Sequence, residues 1–154
     1  MRQTDHAYTT HAFDRGDLSP SRARRLAADF LGALARRGRP VPPDAVEIAR
    51  LVTSELVTNA LKHAPGPVLL ELRLTAGLFA VTVRDSSPAL PVVGDTDPTR
   101  VGRHGLEVVT AVAPHFEVRE EPDGKRVTAA FVLDGPTAPA PVTAHEGRAT
   151  GADR

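Results

Sequence analysis

The chain has 154 residues, with 19 Lys+Arg balanced by 19 Asp+Glu and no cysteine. Zero formal charge argues against a nucleic-acid binder held by a phosphate-seeking field, and the missing cysteines exclude disulfides, thiol nucleophiles and cysteine-bearing zinc sites. The length suits one domain, and with aromatic residues at only 4% its core must be built from Val, Leu, Ile and Ala.

Ala7 to Phe13 alternates loosely and suggests a first strand. Ser19-Pro20 then reads as an N-cap followed by proline at the first helical position. Leu26, Phe30, Leu31 and Leu34 recur at helical spacing until Gly38 and Pro40 end the run. The same stretch carries Arg22, Arg24, Arg25, Arg36, Arg37 and Arg39. They make either a solvated helix face or a binding patch, and composition favours the first. Over residues 14–39 seven arginines face three aspartates, whereas residues 85–123 hold eight acidic groups and three basic ones. Overall neutrality is thus a cancellation between a basic first helix and an acidic later half, a polarity suited to protein partners or self-association.

A second helix opens at Pro43-Asp44 and runs to about Ala64, with Ile48, Val52, Leu56 and Ala60 as its apolar stripe, and Pro65-Gly66-Pro67 stops it. Val68 to Leu74 and Leu78 to Arg84 read as strands of a hairpin turning at Thr75-Ala76-Gly77. Asp85 to Val101 loses periodicity, as functional lids and disordered loops do. Gly102 to Ala113 reads as a short helix, then Phe116 to Glu120 and Arg126 to Leu133 as two strands around Pro122-Asp123-Gly124. After Asp134 only Pro, Ala, Thr, Gly and charged residues prevail, so residues 1–133 are expected to form the domain and 134–154 a disordered tail. The order β-α-α-β-β-α-β-β predicts an α+β two-layer α/β sandwich, with a mixed, mostly antiparallel sheet and helices on one face. No apolar run approaches the ~18 residues of a membrane span, and Met1-Arg2-Gln3-Thr4-Asp5-His6 does not resemble a signal peptide. A cytoplasmic protein without membrane contact is expected.

Three stretches could carry chemistry. Within Ser54-Glu55-Leu56-Val57-Thr58-Asn59, Glu55 and Asn59 lie four apart and share a helix face beside the buried stripe. A buried carboxylate and amide require partners, so the pair either meets a ligand or is an ordinary polar pair at the sheet's edge. Val81-Thr82-Val83-Arg84-Asp85 is an alternating strand ending in a carboxylate, which suits an acceptor for the exocyclic amine of a base, or a turn cap in Asp85-Ser86-Ser87-Pro88. In Gly102-Arg103-His104-Gly105-Leu106, two glycines precede a helix; they either bring backbone N–H groups to an anion or merely loosen the helix start.

In this order the three stretches describe a nucleotide site. The chain resembles the histidine-kinase-like ATPase superfamily (Bergerat, or GHKL, fold), and within it the anti-sigma-factor serine kinases and their actinobacterial relatives, over roughly Ala7 to Leu133. Glu55-Leu56-Val57-Thr58-Asn59-Ala60-Leu61-Lys62-His63 matches that family's N box. The resemblance implies ATP and Mg²⁺ as ligands, Asn59 on the metal, Glu55 as general base, Lys62 near the phosphates and His63 at the helix end. It puts Asp85 on the adenine amine, Ser87 and Pro88 in the first glycine box, and Gly102, Arg103, His104, Gly105 and Leu106 in the second. It further implies a sigma factor and an anti-anti-sigma (STAS-type) protein as partners, homodimerisation, and no direct contact with nucleic acid. A complete sensor kinase is not expected, since neither a membrane span nor a phospho-acceptor helix pair precedes the domain.

Three departures stand out. The usual Asp-x-Gly-x-Gly is Asp85-Ser86-Ser87-Pro88, without glycine, and the second box carries Arg103-His104 where one residue is usual. Gly124-Lys125-Arg126-Val127 stands where relatives often show Gly-Lys-Thr-Val, so Arg126 is expected to take the place of a hydroxyl near Asp85. These departures bear on nucleotide affinity, while Glu55 and Asn59 are intact.

Overall fold

The computed structural model describes residues 6–63, 66–86 and 103–133. The expected tail and Ser87, Pro88 and Gly102 lie outside the described residues. Strands β1 (His6–Phe13), β2 (Val68–Thr75), β3 (Leu78–Asp85), β4 (His115–Glu121) and β5 (Gly124–Val132) and helices α1 (Pro20–Arg36), α2 (Pro43–His63) and α3 (Arg103–Val112) follow the expected order, with one added 3-10 turn at Arg15–Asp17.

Local chemistry accounts for the element ends. The Ser19 hydroxyl accepts the Arg22 N–H at 3.0 Å, while Pro20 supplies a first-turn φ that needs no donor. At the other end Gly38 takes φ 94°, and the N–H groups of Arg39 and Gly38 close on the Leu34 and Ala35 carbonyls, a Schellman ending. The arginines of α1 up to Arg37 lie on its exposed side, and Arg39 is buried. In the β2–β3 hairpin Ala76 and Gly77 both have positive φ, 49° and 84°, which lets a two-residue turn follow the strands' right-handed twist.

The sheet order is β1-β2-β3-β5-β4, and every pairing is antiparallel. The expected mixed character is corrected here. Strands β3 and β4 run parallel, but the β4–β5 hairpin inserts β5 between them, so no parallel neighbours form among the described residues. One sheet face carries the helices. Leu70, Leu72 and Leu74 of β2, Phe79, Val81 and Val83 of β3, and Val127, Ala129 and Phe131 of β5 are buried there against Phe30, Leu31 and Leu34 of α1 and Val52, Leu56 and Ala60 of α2. Phe79 links the layers, with ring centroids 5.8 Å from Phe30 and 5.6 Å from Phe131. The opposite face is polar, with Thr82 and Thr128 hydroxyls 2.9 Å apart at its centre.

Candidate functional site

Three element ends meet at one edge of the helix layer. Only residues 64–67 separate the end of α2 from Val68, and Leu69 pairs with Arg84, so the α2 C-terminus lies beside the end of β3. A Cβ built on Gly66 would stand 3.1 Å from the Ser86 hydroxyl, which places the α2–β2 connection against the residue after Asp85. Strand β5 begins at the same end, since Asp85 lies opposite Lys125. Strand β4 starts at the far end, where His115 faces Ala130, and α3 leads into it through Ala113 and Pro114. Gly105 lies inside the first turn of α3 and not before it.

On α2 the 52–60 stretch is almost wholly buried. Two of its hydroxyls bond within the helix, Ser54 to the Leu51 carbonyl at 3.2 Å and Thr58 to the Ser54 carbonyl at 2.7 Å, while the buried Thr53 hydroxyl has no hydrogen-bond partner among the described residues. Asn59 is 7% exposed and Glu55, one turn earlier, is half-buried. Among the described residues neither side chain finds a hydrogen-bond or ion-pair partner. The Asn59 amide is not among the polar atoms sealed from water, so an incoming ligand can reach it. Lys62 is exposed on the last turn; the side chains of His63, Arg103, His104 and Leu106 lie outside the described set.

Asp85 points to the helix side and is 7% exposed. Lys125, which sequence reasoning left out of the site, points the same way from β5. Its Nζ donates to Oδ1 at 3.1 Å and lies at ion-pair distance, also 3.1 Å, from Oδ2, which receives no hydrogen bond in that geometry. Gly124 makes this approach possible: a Cβ there would stand 1.9 Å from the Asp85 carbonyl oxygen.

Arg126 requires a correction. Strand alternation sends it to the polar face, where it pairs with Glu121 at 3.4 Å and lines a cavity of about 320 Å³ with Tyr8, Glu71, Arg73 and Arg84. It does not stand beside Asp85; Lys125 does. The clue in the sequence is the period-two track Lys125, Val127, Ala129, Phe131, which extends β5 two residues before Arg126.

Among the described residues no three acidic or histidine side chains converge on a metal position. Asn59, with Glu55 beside it, offers oxygen donors of the kind that suit a hard divalent cation keeping its waters and phosphate ligands. The donor set therefore fits Mg²⁺ brought with a nucleotide.

A sheet covered on one face by helices, with polar groups gathered where the end of α2 meets the ends of β3 and β5, defines an α+β sandwich. The family profile of the histidine kinase-like ATPase domain matches residues 18–131. The chain belongs to that family and is an ATP-binding domain of it. Among solved structures it is similar to the histidine kinase domain from Erythrobacter litoralis EL346 blue-light activated histidine kinase, 23% identical, with a TM-score of 0.46. That match covers 70% of this chain and 61% of the other. Comparison with curated proteins finds no match. No helix among the described residues is long and apolar enough to cross a membrane.

Proposed function

We propose that this domain is an ATP-dependent protein-serine/threonine kinase that phosphorylates an anti-anti-sigma partner of STAS type and, as a homodimer, sequesters a sigma factor. The observation that carries the reading is Asn59, a buried residue whose amide has no described partner and stays reachable, with Glu55 one turn away. The partners rest on the resemblance to anti-sigma kinases, and the exposed arginines of α1 supply a surface that suits an acidic protein.

Phosphoryl transfer depends on positioning and on charge stabilisation more than on covalent help from the protein. Mg²⁺, when bound, would supply positive charge to the phosphate oxygens. Asn59 would hold that cation through its amide oxygen. Glu55 orients the acceptor hydroxyl and takes its proton, a role worth typically ~10²–10⁴-fold. Lys62 and the N–H groups at the start of α3 offer positive potential to the phosphates.

A serine-bearing STAS protein mixed with Mg·ATP and the purified chain tests the kinase. Phosphate should appear on the serine, and Glu55→Ala should lower transfer about 10²–10⁴-fold while Mg·ATP binding, followed by calorimetry, persists. Equal transfer by the variant removes the general-base role. A second reading, a non-catalytic or weakly nucleotide-binding module that regulates by protein contact, draws support from the Asp85–Lys125 pair. Absence of any phosphate transfer beside tight partner binding would favour it.

A further inference from the structure

The ion pairs Arg84–Glu71, Arg119–Glu117 and Arg126–Glu121 keep contact with water, whereas Lys125 and Asp85 are sealed, with side chains 0% and 1% exposed. Residues 127, 129 and 131 on the same track are apolar, so a sheet built only to pack would place a hydrophobic residue at 125. Lysine brings instead a charge whose burial is costly unless closely paired. Its Nζ donates to Asp85 Oδ1 and sits 3.1 Å from Oδ2 as well, so the cation lies against both oxygens that an amino-bearing base would approach, although Oδ2 receives no hydrogen bond among the described residues.

We propose that Lys125 is an internal occupant of the base-recognition position. Its ammonium donates to Asp85 in place of the exocyclic amine of an aminopurine nucleotide, so ATP engages Asp85 only by displacing it. This rests on the reading of Asp85 as the base acceptor. Hydrogen bonds from a charged donor are roughly twice as strong as neutral ones, so a neutral amine does not readily outcompete the ammonium. The resting chain therefore binds nucleotide weakly, mainly through its phosphates and the Asn59 region, and discriminates poorly between bases. The long flexible lysine stem is what allows the pair to open. Anything that draws Lys125 away, such as a partner's carboxylate, would raise affinity for ATP.

The test is calorimetric titration of the full chain with Mg·ATP and Mg·ITP, which carries a carbonyl where ATP has its amine. Wild type should bind the two within about threefold of each other, since the loss of one imperfect hydrogen bond is small. Lys125→Met, which keeps the stem and removes the charge, should bind ATP about tenfold tighter than wild type and prefer ATP to ITP. That gain should vanish in Asp85→Asn/Lys125→Met. A folded Lys125→Met with unchanged or weaker ATP affinity overturns the proposal and leaves the ATP reading standing. No binding of either nucleotide at millimolar concentration, in wild type and variant alike, overturns both. Should Lys125→Met fail to fold, the wild-type comparison decides: a tenfold preference for ATP over ITP overturns the proposal.

Discussion

Two polar groupings are buried at the same end of this fold, and they are treated in opposite ways. On α2, Glu55 and Asn59 are drawn into the helix layer without a partner among the described residues. Between β3 and β5, Asp85 and Lys125 are sealed against each other. Burial alone therefore does not mark a binding group; what matters is whether the protein has already satisfied it. The α2 pair is poised for something from outside, and the β3–β5 pair must be opened first.

Substitution should separate the two groupings by sign. Lys125→Ala leaves a buried carboxylate without its cation and should cost about 3–5 kcal/mol of stability. Asp85→Leu/Lys125→Met, which removes both charges, should lie within about 2 kcal/mol of wild type or above it. Denaturant unfolding of both variants checks this, and equal losses would mean the pair is not coupled. Asn59→Leu should do the reverse, leaving the ligand-free protein as stable as wild type or up to about 1 kcal/mol more so, because an amide with no described partner gives way to an apolar group of similar shape. The same variant should lose the rise in melting temperature that Mg·ATP gives the wild type. A destabilised Asn59→Leu would show that the amide is satisfied within the fold.

The smallest effect should come from outside both groupings. His11 on β1 has its pKa lowered below 6.5 by partial burial first and by the nearby Arg22 charge second. Its folded-state pKa lies below the unfolded one, so its contribution is full above pH 6.5 and is lost as pH falls through the lowered value. Wild type should therefore lose slightly more melting temperature between pH 7.5 and pH 5 than His11→Gln does. The ring still keeps contact with water, which keeps the difference small.

Much of this architecture was legible in the residues. Ser19-Pro20 and Gly38 mark the ends of α1 by chemistry that acts within a few residues, and Thr75-Ala76-Gly77 announces a hairpin for the same reason. Glu55 and Asn59 share a face because helical spacing dictates it, and the strand-end position of Asp85 follows from the alternation before it. What escaped was the partner of Asp85. Beginning β5 at Arg126 left Lys125 in the turn and brought Arg126 toward the site. Starting the strand at Gly124 reverses that, because a period of two assigns neighbouring residues to opposite faces.

The sequence by itself determined the order of elements, the aliphatic core and the placing of Glu55 and Asn59 on one helix face, since each depends on contacts between residues near in the chain. Only the tertiary structure decided that the described strands all pair antiparallel, that α2, β3 and β5 bring their ends together, and that Lys125 closes on Asp85. Forty residues separate that lysine from that aspartate. Their meeting depends on the β3–β5 register and on the close backbone approach that Gly124 permits, and both are set by how the whole sheet packs.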